Sequence, residues 1–170
     1  MSVALELARK GYGRTSPNPM VGAVLVKGRA VIGKGWHRNA GGAHAEIEAI
    51  RDACRQDYNI KDSTLYITLE PCCTAGRTAP CTQAIIESGV TRVVVGAIDP
   101  NPKHSGRAFH ILKKAGIEVR KGILANPANE LNAAFNHWVS SKTPYTTLKS
   151  AMTLDGKIAT SSGESKWITG

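Results

Sequence analysis

An α/β fold with a central mixed, mostly parallel sheet is predicted by three features of this sequence. Two β-rich runs, residues 21–26 and 30–36, flank Lys27-Gly28-Arg29, an arrangement typical of an antiparallel hairpin. Helical and strand patterns then alternate, which favours parallel strands joined by crossover helices. The strongly apolar run at residues 92–98 is typical of a buried strand. Functional loops are therefore expected at the carboxyl ends of the parallel strands.

A short helix and a loop precede the hairpin, and a longer helix follows it. Residues 2–10 have helical spacing that Gly11 can end, and the glycines and prolines of residues 11–19 favour a loop. After the hairpin, a glycine-bearing loop leads into a helix that begins at His44. The spacing of Ile47, Ile50 and Cys54 is helical, so Cys54 is expected in the core.

The alternation continues to residue 139. Strands are predicted at residues 64–69, 92–98 and 117–119, and helices from Cys81, over residues 109–116 and over residues 129–139. The last helix places Leu131, Phe135 and Trp138 on one face.

The pattern changes beyond residue 143. Residues 145–152 predict a strand, residues 153–156 a turn and residues 157–159 the beginning of another strand. We therefore interpret residues 1–143 as one domain and residues 144–170 as the start of a second, incomplete domain.

Composition narrows the functional classes. With 42% hydrophobic and 21% charged residues, the chain of 170 residues has the composition of a globular protein, and no apolar run is long enough to cross a bilayer. The first residues contain neither a basic leader nor a signal-peptide cleavage site, so we expect a cytoplasmic protein with no membrane partner. Four cysteines in a reducing compartment indicate metal ligands or free thiols rather than disulfides.

The net charge of +9 is unevenly distributed. Residues 1–43 carry 7 basic and 1 acidic side chains, whereas residues 44–100 carry 5 and 8. A basic rim would attract a phosphorylated substrate or a nucleic acid, and a merely solvated basic surface fits the same numbers. The few aromatic residues form no series suited to stacking successive bases, which weighs against nucleic acid.

One histidine and two cysteines carry the clearest functional pattern. His44-Ala45-Glu46 begins a helix, Cys72 follows a strand, and Cys81 begins another helix. An imidazole and two thiolates suit Zn²⁺, and three protein ligands leave the fourth tetrahedral position to water. Glu46 can take the proton of that water and return it, which is the division of labour in zinc deaminases, whose H-x-E and P-C motifs this chain matches.

Two plainer interpretations stay open at this point. His44 could be an ordinary helix-start histidine, with Cys72 and Cys81 as small buried side chains, but the conjunction of both motifs favours a zinc site. A closed structural zinc site would need Cys73 as its fourth ligand, and adjacent cysteines rarely chelate one metal well. Eight residues separate the two cysteine ligands, where the short form of the motif has two.

Further short motifs accompany the metal pattern. They are residues 15–24, Gly35-Trp36-His37, Glu70-Pro71-Cys72, Gly76-Arg77-Thr78, Pro80-Cys81, Asp99-Pro100-Asn101-Pro102, Leu148-Lys149, residues 153–156 and residues 162–169. Together they resemble the riboflavin-biosynthesis deaminase/reductase family, in which a cytidine-deaminase-like domain precedes a dihydrofolate-reductase-like domain. The resemblance implies a three-layer α/β/α deaminase domain, and it accounts for the long spacing between the cysteines.

The resemblance also implies site residues. Zinc would be held by His44, Cys72 and Cys81, and Glu46 would move the proton. The substrate would be a diaminopyrimidinone with a ribosylamino 5′-phosphate, deaminated to the corresponding aminouracil. The residues implied to line its pocket are Asn18, His37, Arg77, Asp99 and Asn101, of which Arg77 would contact the phosphate or the ribose.

In the reductase part, the resemblance implies that Ala151 and Trp167 contact NADPH and that Ser165 contacts the sugar phosphate. Too little of that domain is present for reduction. We also expect a homo-oligomer. One position departs from the family: where many members have a Ser-His pair after the first cysteine, this chain has Cys73-Thr74. A deaminase acting on a base in tRNA or single-stranded nucleic acid is the alternative function.

Overall fold

Residues 1–74 and 79–166 are described by the computed structural model, and their helices and strands alternate around one sheet. The strands are β1 (Gly22–Lys27), β2 (Ala30–Trp36), β3 (Thr64–Leu69), β4 (Arg92–Ala97) and β5 (Glu118–Lys121). The helices are α1 (Ser2–Arg9), α2 (Ala45–Arg55), α3 (Cys81–Glu87), α4 (Arg107–Lys114), α5 (Ala125–Leu131) and α6 (Ala133–Ser141).

The strand order is β2-β1-β3-β4-β5. Strand β1 pairs antiparallel with both of its neighbours, whereas β3, β4 and β5 pair parallel. Only β1 therefore runs against the common direction in this sheet. The predicted mixed, mostly parallel sheet is confirmed, because the hairpin reverses the chain once and the later crossovers do not.

Helices cover both faces of the sheet. On one face, Leu65, Ile67 and Val93 pack in a large apolar cluster with residues of α2 and α4. On the other face, Ala4 and Leu7 of α1 pack on Val24. Successive strand residues point to opposite faces, so β1 supplies both cores. The predicted three-layer α/β/α architecture is confirmed, and no helix in the described parts of the chain is long and apolar enough to cross a membrane.

Helix α2 lies directly on the backbone of β2. A Cβ atom at Gly35 would overlap the carbonyl oxygen of Ala45 and the amide nitrogen of Ala49. A glycine is therefore required here for close approach. The contact places the first turn of α2, which carries Glu46, at the carboxyl end of β2.

The close contact between α2 and β2 also corrects one prediction. Cys54 is exposed rather than in the core. The buried stripe of α2 is formed by Ala45, Ala49 and Ala53, because only small side chains fit against the glycines of β2. Cys54 lies about 100° around the helix from Ala53 and faces solvent.

The single helix predicted over residues 129–139 is wrong in its extent. The structure has two helices, α5 and α6, which meet at Asn132. The Asn132 side chain accepts a hydrogen bond from the Met20 amide at 2.8 Å and donates one to the Met20 carbonyl at 2.9 Å. This paired contact fixes the helix junction to the loop before β1, and Trp138 beyond it is 48% exposed.

The strands predicted at residues 145–152 and 157–159 are absent from the described part of the C-terminal segment. Leu148 is 89% exposed and Met152 59% exposed, so their apolar pattern has no core to face. A strand needs a neighbour for its backbone groups. The predicted turn is confirmed, because the Thr153 amide bonds to the Lys157 carbonyl at 2.9 Å.

Candidate zinc site

His44, Cys72 and Cys81 converge at the carboxyl end of the sheet. One donor atom from each lies within 4.8 Å of the others. His44 Nδ1 is 3.2 Å from Cys81 Sγ and 3.6 Å from Cys72 Sγ. Two ligands of one tetrahedral zinc ion, with bonds of about 2.0–2.3 Å, lie roughly 3.5 Å apart. The donor set and its spacing therefore fit Zn²⁺.

Three different elements deliver these donors. His44 is the residue before α2, Cys72 follows the end of β3, and Cys81 is the first residue of α3. The Cys81 amide donates to Cys72 Sγ at 3.3 Å, and the Thr82 amide donates to the Cys72 carbonyl at 3.2 Å. Backbone amides at the start of α3 thus hold Cys72 and favour its thiolate.

The thiols of Cys72 and Cys81 shift each other's pKa in opposite directions. A hydrogen bond from Cys81 lowers the pKa of Cys72, and holding that bond raises the pKa of Cys81. The opposite directions are two halves of one effect, so Cys72 is the group that ionises first. A separate hydrogen bond between His44 and Cys72 raises the pKa of His44. A divalent cation among these atoms would favour both thiolates and the neutral imidazole.

Glu46 lies in the first turn of α2 with its side chain in the adjoining cavity. It is 2% exposed, and burial raises the pKa of its carboxyl to about 7. A carboxyl group with that pKa accepts and releases a proton near neutral pH, which is what a general acid/base requires.

A hydrogen-bonded chain fixes the amide of Asn18. The His37 ring bonds to the Ala43 carbonyl through Nδ1 at 3.0 Å and to Asn18 Nδ2 through Nε2 at 3.1 Å. A carbonyl can only accept, so Nδ1 carries the proton and Nε2 accepts from the Asn18 amide. Burial lowers the pKa of His37, which keeps this ring neutral. The Asn18 Oδ1 atom is left as an acceptor.

The loop between β4 and α4, residues 98–106, forms the facing wall. Glu70, 3% exposed, accepts hydrogen bonds from the Gly106 amide at 2.8 Å and from the Ala108 amide at 3.2 Å. Asp99 in turn accepts one from the Asn101 amide at 2.8 Å, and burial raises the pKa of Asp99. The buried Glu70 carboxylate therefore ties the end of β3 to the loop that carries Asp99 and Asn101.

The cavity at this site has a volume of about 200 Å³. Four of the predicted substrate residues line it beside His44, Cys72 and Glu46: Asn18, His37, Asp99 and Asn101. Ala151 and Ser165 lie in the exposed C-terminal segment and are not among the described residues that line the cavity. The predictions for Arg77 and Trp167 fall outside the described residues.

Sequence reasoning assigned no role to six residues that line the cavity, which are Pro19, Val21, Leu69, Glu70, His104 and Phe135. Glu70 belongs to a recognised motif, but its partners are backbone amides 29 to 38 residues away in the chain. His104 carries no motif signal, because it stands in a polar loop with no spacing relation to the zinc ligands.

Two families match this chain. The cytidine and deoxycytidylate deaminase zinc-binding region matches residues 1–97, and the RibD C-terminal domain matches residues 144–170.

Several known proteins are similar over the whole chain. Riboflavin biosynthesis protein RibD of Aquifex aeolicus is 52% identical over 99% of this chain and 47% of its own length. The protein of the same name from Actinobacillus pleuropneumoniae is 48% identical over 100% of this chain and 44% of its own.

A crystal structure also matches closely. It is that of a diaminohydroxyphosphoribosylaminopyrimidine deaminase/5-amino-6-(5-phosphoribosylamino)uracil reductase from Thermotoga maritima, with a TM-score of 0.95 and 48% identity, over 100% of this chain and 48% of that one. The chain spans about half the length of the relatives it matches.

Proposed function

Because the chain belongs to the cytidine and deoxycytidylate deaminase zinc-binding family, we propose that it deaminates a small phosphorylated pyrimidine by hydrolysis. The proposed substrate is the diaminopyrimidinone that carries a ribosylamino 5′-phosphate, an intermediate of riboflavin biosynthesis. The names of the similar proteins support this choice, since they refer to that pathway and that deamination.

The observation that carries the proposal is the placement of a buried carboxyl beside three zinc-type donors. His44, Cys72 and Cys81 converge within 4.8 Å, and Glu46 lines the same cavity. A site with only three protein ligands is typical of catalytic rather than structural zinc. When bound there, zinc supplies a Lewis acid that lowers the pKa of water to near neutrality.

Glu46 performs the proton transfers. Its carboxylate takes a proton from water as the water oxygen bonds to the ring carbon that bears the exocyclic amine. The protonated carboxyl then gives that proton to the amine nitrogen. The carbon–nitrogen bond breaks and ammonia leaves. The second proton of the water moves from the added oxygen to the neighbouring ring nitrogen, so the carbon keeps the oxygen as a carbonyl. Atoms and charge balance, and Glu46 ends the cycle in its starting state.

The cavity wall orients the pyrimidine. Asn18 Oδ1 is fixed as an acceptor by His37, and the buried Asp99 carboxyl is a second acceptor. Amino groups and ring N–H groups of a diaminopyrimidinone are donors that pair with such acceptors. A site with buried polar groups rejects molecules that leave them unpaired, so this arrangement selects against pyrimidines without those donors.

A nucleic-acid base is the less favoured substrate. Among the described residues, Phe135 is the only Phe, Tyr or Trp that lines the cavity, and successive stacking needs more than one such ring. We expect weak, non-saturating binding of tRNA or single-stranded DNA to the zinc-loaded protein at physiological salt. Affinity titrations over a series of salt concentrations test this, because tight binding that weakens steeply with salt is diagnostic of phosphate-backbone contacts. Such binding would favour the nucleic-acid deaminase.

Arg77 is the predicted phosphate contact, and it is the only charged residue between the two cysteine ligands. A guanidinium can donate two parallel hydrogen bonds to a phosphate. We expect Arg77→Ala to lower kcat/KM for the phosphorylated substrate by about 10- to 100-fold, mostly through KM, as for a loss of roughly 1.5–3 kcal/mol. Zinc content should stay unchanged.

Two controls separate a phosphate contact from support of the loop. Arg55→Ala removes an exposed arginine at the end of α2 and should have no effect on KM. The dephosphorylated substrate should react equally poorly with the parent protein and with Arg77→Ala. Equal losses on both substrates would contradict the phosphate role.

Residues 144–170 are proposed as the first segment of a reductase-like domain. The match to the RibD C-terminal domain supports this assignment. NADPH binding by Ala151 and Trp167 and sugar-phosphate binding by Ser165 stay predictions, as do a cytoplasmic location and a homo-oligomer.

A further inference from the structure

His104 lies on the cavity wall although no sequence motif points to it. It is half-buried in the loop between β4 and α4, and it lines the cavity together with His44, Glu46 and Cys72. No step of the proposed mechanism uses its imidazole. A polar ring at this place has either a structural role or a role toward the ligand, and its hydrogen bonds distinguish the two.

Contacts with Cys73 define which ring nitrogen carries the proton. The Cys73 amide donates to His104 Nδ1 at 3.5 Å, and Cys73 Sγ is also 3.5 Å from the same nitrogen. A backbone N–H can only donate, so Nδ1 is an acceptor. The neutral imidazole must then carry its proton on Nε2, and Nε2–H is a donor with no partner among the described hydrogen bonds.

The loop holds this ring in a preset position. The His104 amide donates to the Asn101 carbonyl at 2.8 Å, and the Arg107 amide donates to the His104 carbonyl at 2.7 Å. Two residues after His104, the Gly106 amide donates a hydrogen bond to the Glu70 carboxyl group. Both sides of His104 are therefore anchored, and little conformational entropy is lost when the ring binds a ligand.

The cavity wall otherwise offers mainly acceptors. Asn18 Oδ1, the Asp99 carboxyl and the Glu46 carboxylate all accept, whereas Asn101 Nδ2 and His104 Nε2 can donate. A ribosylaminopyrimidinone carries carbonyl and hydroxyl oxygens as well as amino groups. Its oxygens need donors once water is excluded, because an unpaired buried acceptor costs binding free energy.

We propose that His104 is a substrate-binding residue that donates a hydrogen bond from Nε2 to a carbonyl or hydroxyl oxygen of the bound ribosylaminopyrimidine. The proposal rests on the proposed function, since it assigns a contact to that substrate. The Cys73 amide orients the ring, and the His104 donor complements the acceptors supplied by Asn18 and Asp99.

Two amide substitutions separate the two ring nitrogens. His104→Asn can keep a hydrogen-bond acceptor near the position of Nδ1 but has no group at the position of Nε2. His104→Gln can instead place a hydrogen-bond donor near the position of Nε2. Each change, and His104→Ala, is made in the zinc-loaded Glu46→Gln protein, which should bind the phosphorylated diaminopyrimidinone without converting it. Affinity is measured by calorimetry, together with zinc content and Tm.

We expect Kd to rise by about 3- to 10-fold in His104→Ala and in His104→Asn, the effect of one lost hydrogen bond, and to rise less in His104→Gln. Zinc content should stay constant. His110→Ala, which removes an exposed histidine from α4, should leave Kd unchanged.

Four results would overturn the assignment. Unchanged affinity in His104→Ala would mean that the ring makes no substrate contact. Parent-like affinity in His104→Asn but not in His104→Gln would mean that His104 only positions the Cys73 segment. Loss of zinc in His104→Ala would mean the same. Failure of the parent Glu46→Gln protein to bind the compound would overturn the proposed substrate as well. In the other outcomes the parent protein still binds the compound, so the two kinds of failure are distinguishable.

Discussion

Replacement of Glu46 by glutamine should lower the rate of deamination by at least about 10²- to 10⁴-fold, the usual contribution of one positioned acid/base. The same carboxyl serves twice in the proposed cycle, first as base toward water and then as acid toward the leaving nitrogen, so we expect the upper part of this range. Glutamine has nearly the same shape but cannot carry the proton. The rate is measured as ammonia release under saturating substrate.

Zinc content and folding should survive this substitution, because Glu46 is not among the three converging donors. Burial raises the pKa of Glu46 from 4.5 to about 7 in the folded protein. The unfolded chain therefore loses this proton at a lower pH than the folded protein does, and the free energy of unfolding falls as the pH rises from 4.5 to about 7. Glutamine causes no such fall. We therefore expect a Tm at pH 8 that is no lower than that of the parent protein.

Glu48→Gln is the matched control. Glu48 lies in the first turn of the same helix but pairs with Arg38 and Arg51 at the surface, and surface pairs of this kind contribute little. The deamination rate of Glu48→Gln should therefore equal that of the parent protein. Near-normal turnover in Glu46→Gln, or an equal loss in both variants, would contradict the assignment of Glu46 as the proton carrier.

Replacement of Cys81 by serine should remove zinc and abolish deamination. Cys81 is 2% exposed and supplies one of the three donors that converge in the described part of the chain, and a hydroxyl is a much poorer zinc ligand than a thiolate. Changes that only touch the surroundings of ligands typically cost 10- to 100-fold in metal affinity. We expect Cys81→Ser to lower zinc affinity by more than about 100-fold. The affinity is measured from the zinc retained after dialysis against a chelator of known affinity.

Two other cysteines provide the controls. Cys54 is exposed on α2, so Cys54→Ser should keep both zinc and activity. Cys73 contacts His104 and is not one of the converging donors, so Cys73→Ser should keep zinc. Loss of zinc in Cys73→Ser would instead indicate a closed structural site with four protein ligands.

Most of the sheet and the three side chains that converge as candidate zinc ligands could be predicted from local sequence, because both depend on short-range pattern. The hairpin at residues 27–29 and the apolar run before Ile98 fix strand positions through turn chemistry and burial. His44 and Cys81 fall at helix starts, where local helical spacing reveals them. Their convergence then follows from a topology that brings the carboxyl ends of the strands to one edge.

The features that sequence did not predict depend on tertiary contacts. Asn132 divides the last helical pattern because its side chain pairs with Met20, which is 112 residues away in the chain. Cys54 lies outside the core because α2 packs on glycines and needs alanines there. The chemistry of His104 depends on the direction of the Cys73 amide, and no spacing rule encodes that direction.

We propose that the chain is a zinc-dependent hydrolytic deaminase whose metal is held by His44, Cys72 and Cys81. The most direct measurement is ammonia release from the diaminopyrimidinone phosphate by the purified protein, before zinc removal, after zinc removal and after zinc is returned. We predict ammonia in equal amount to substrate consumed, loss of this activity on removal and recovery with stoichiometric zinc. Ammonia release that persists unchanged in the zinc-free protein, or its absence from the fully zinc-loaded protein, would contradict the account.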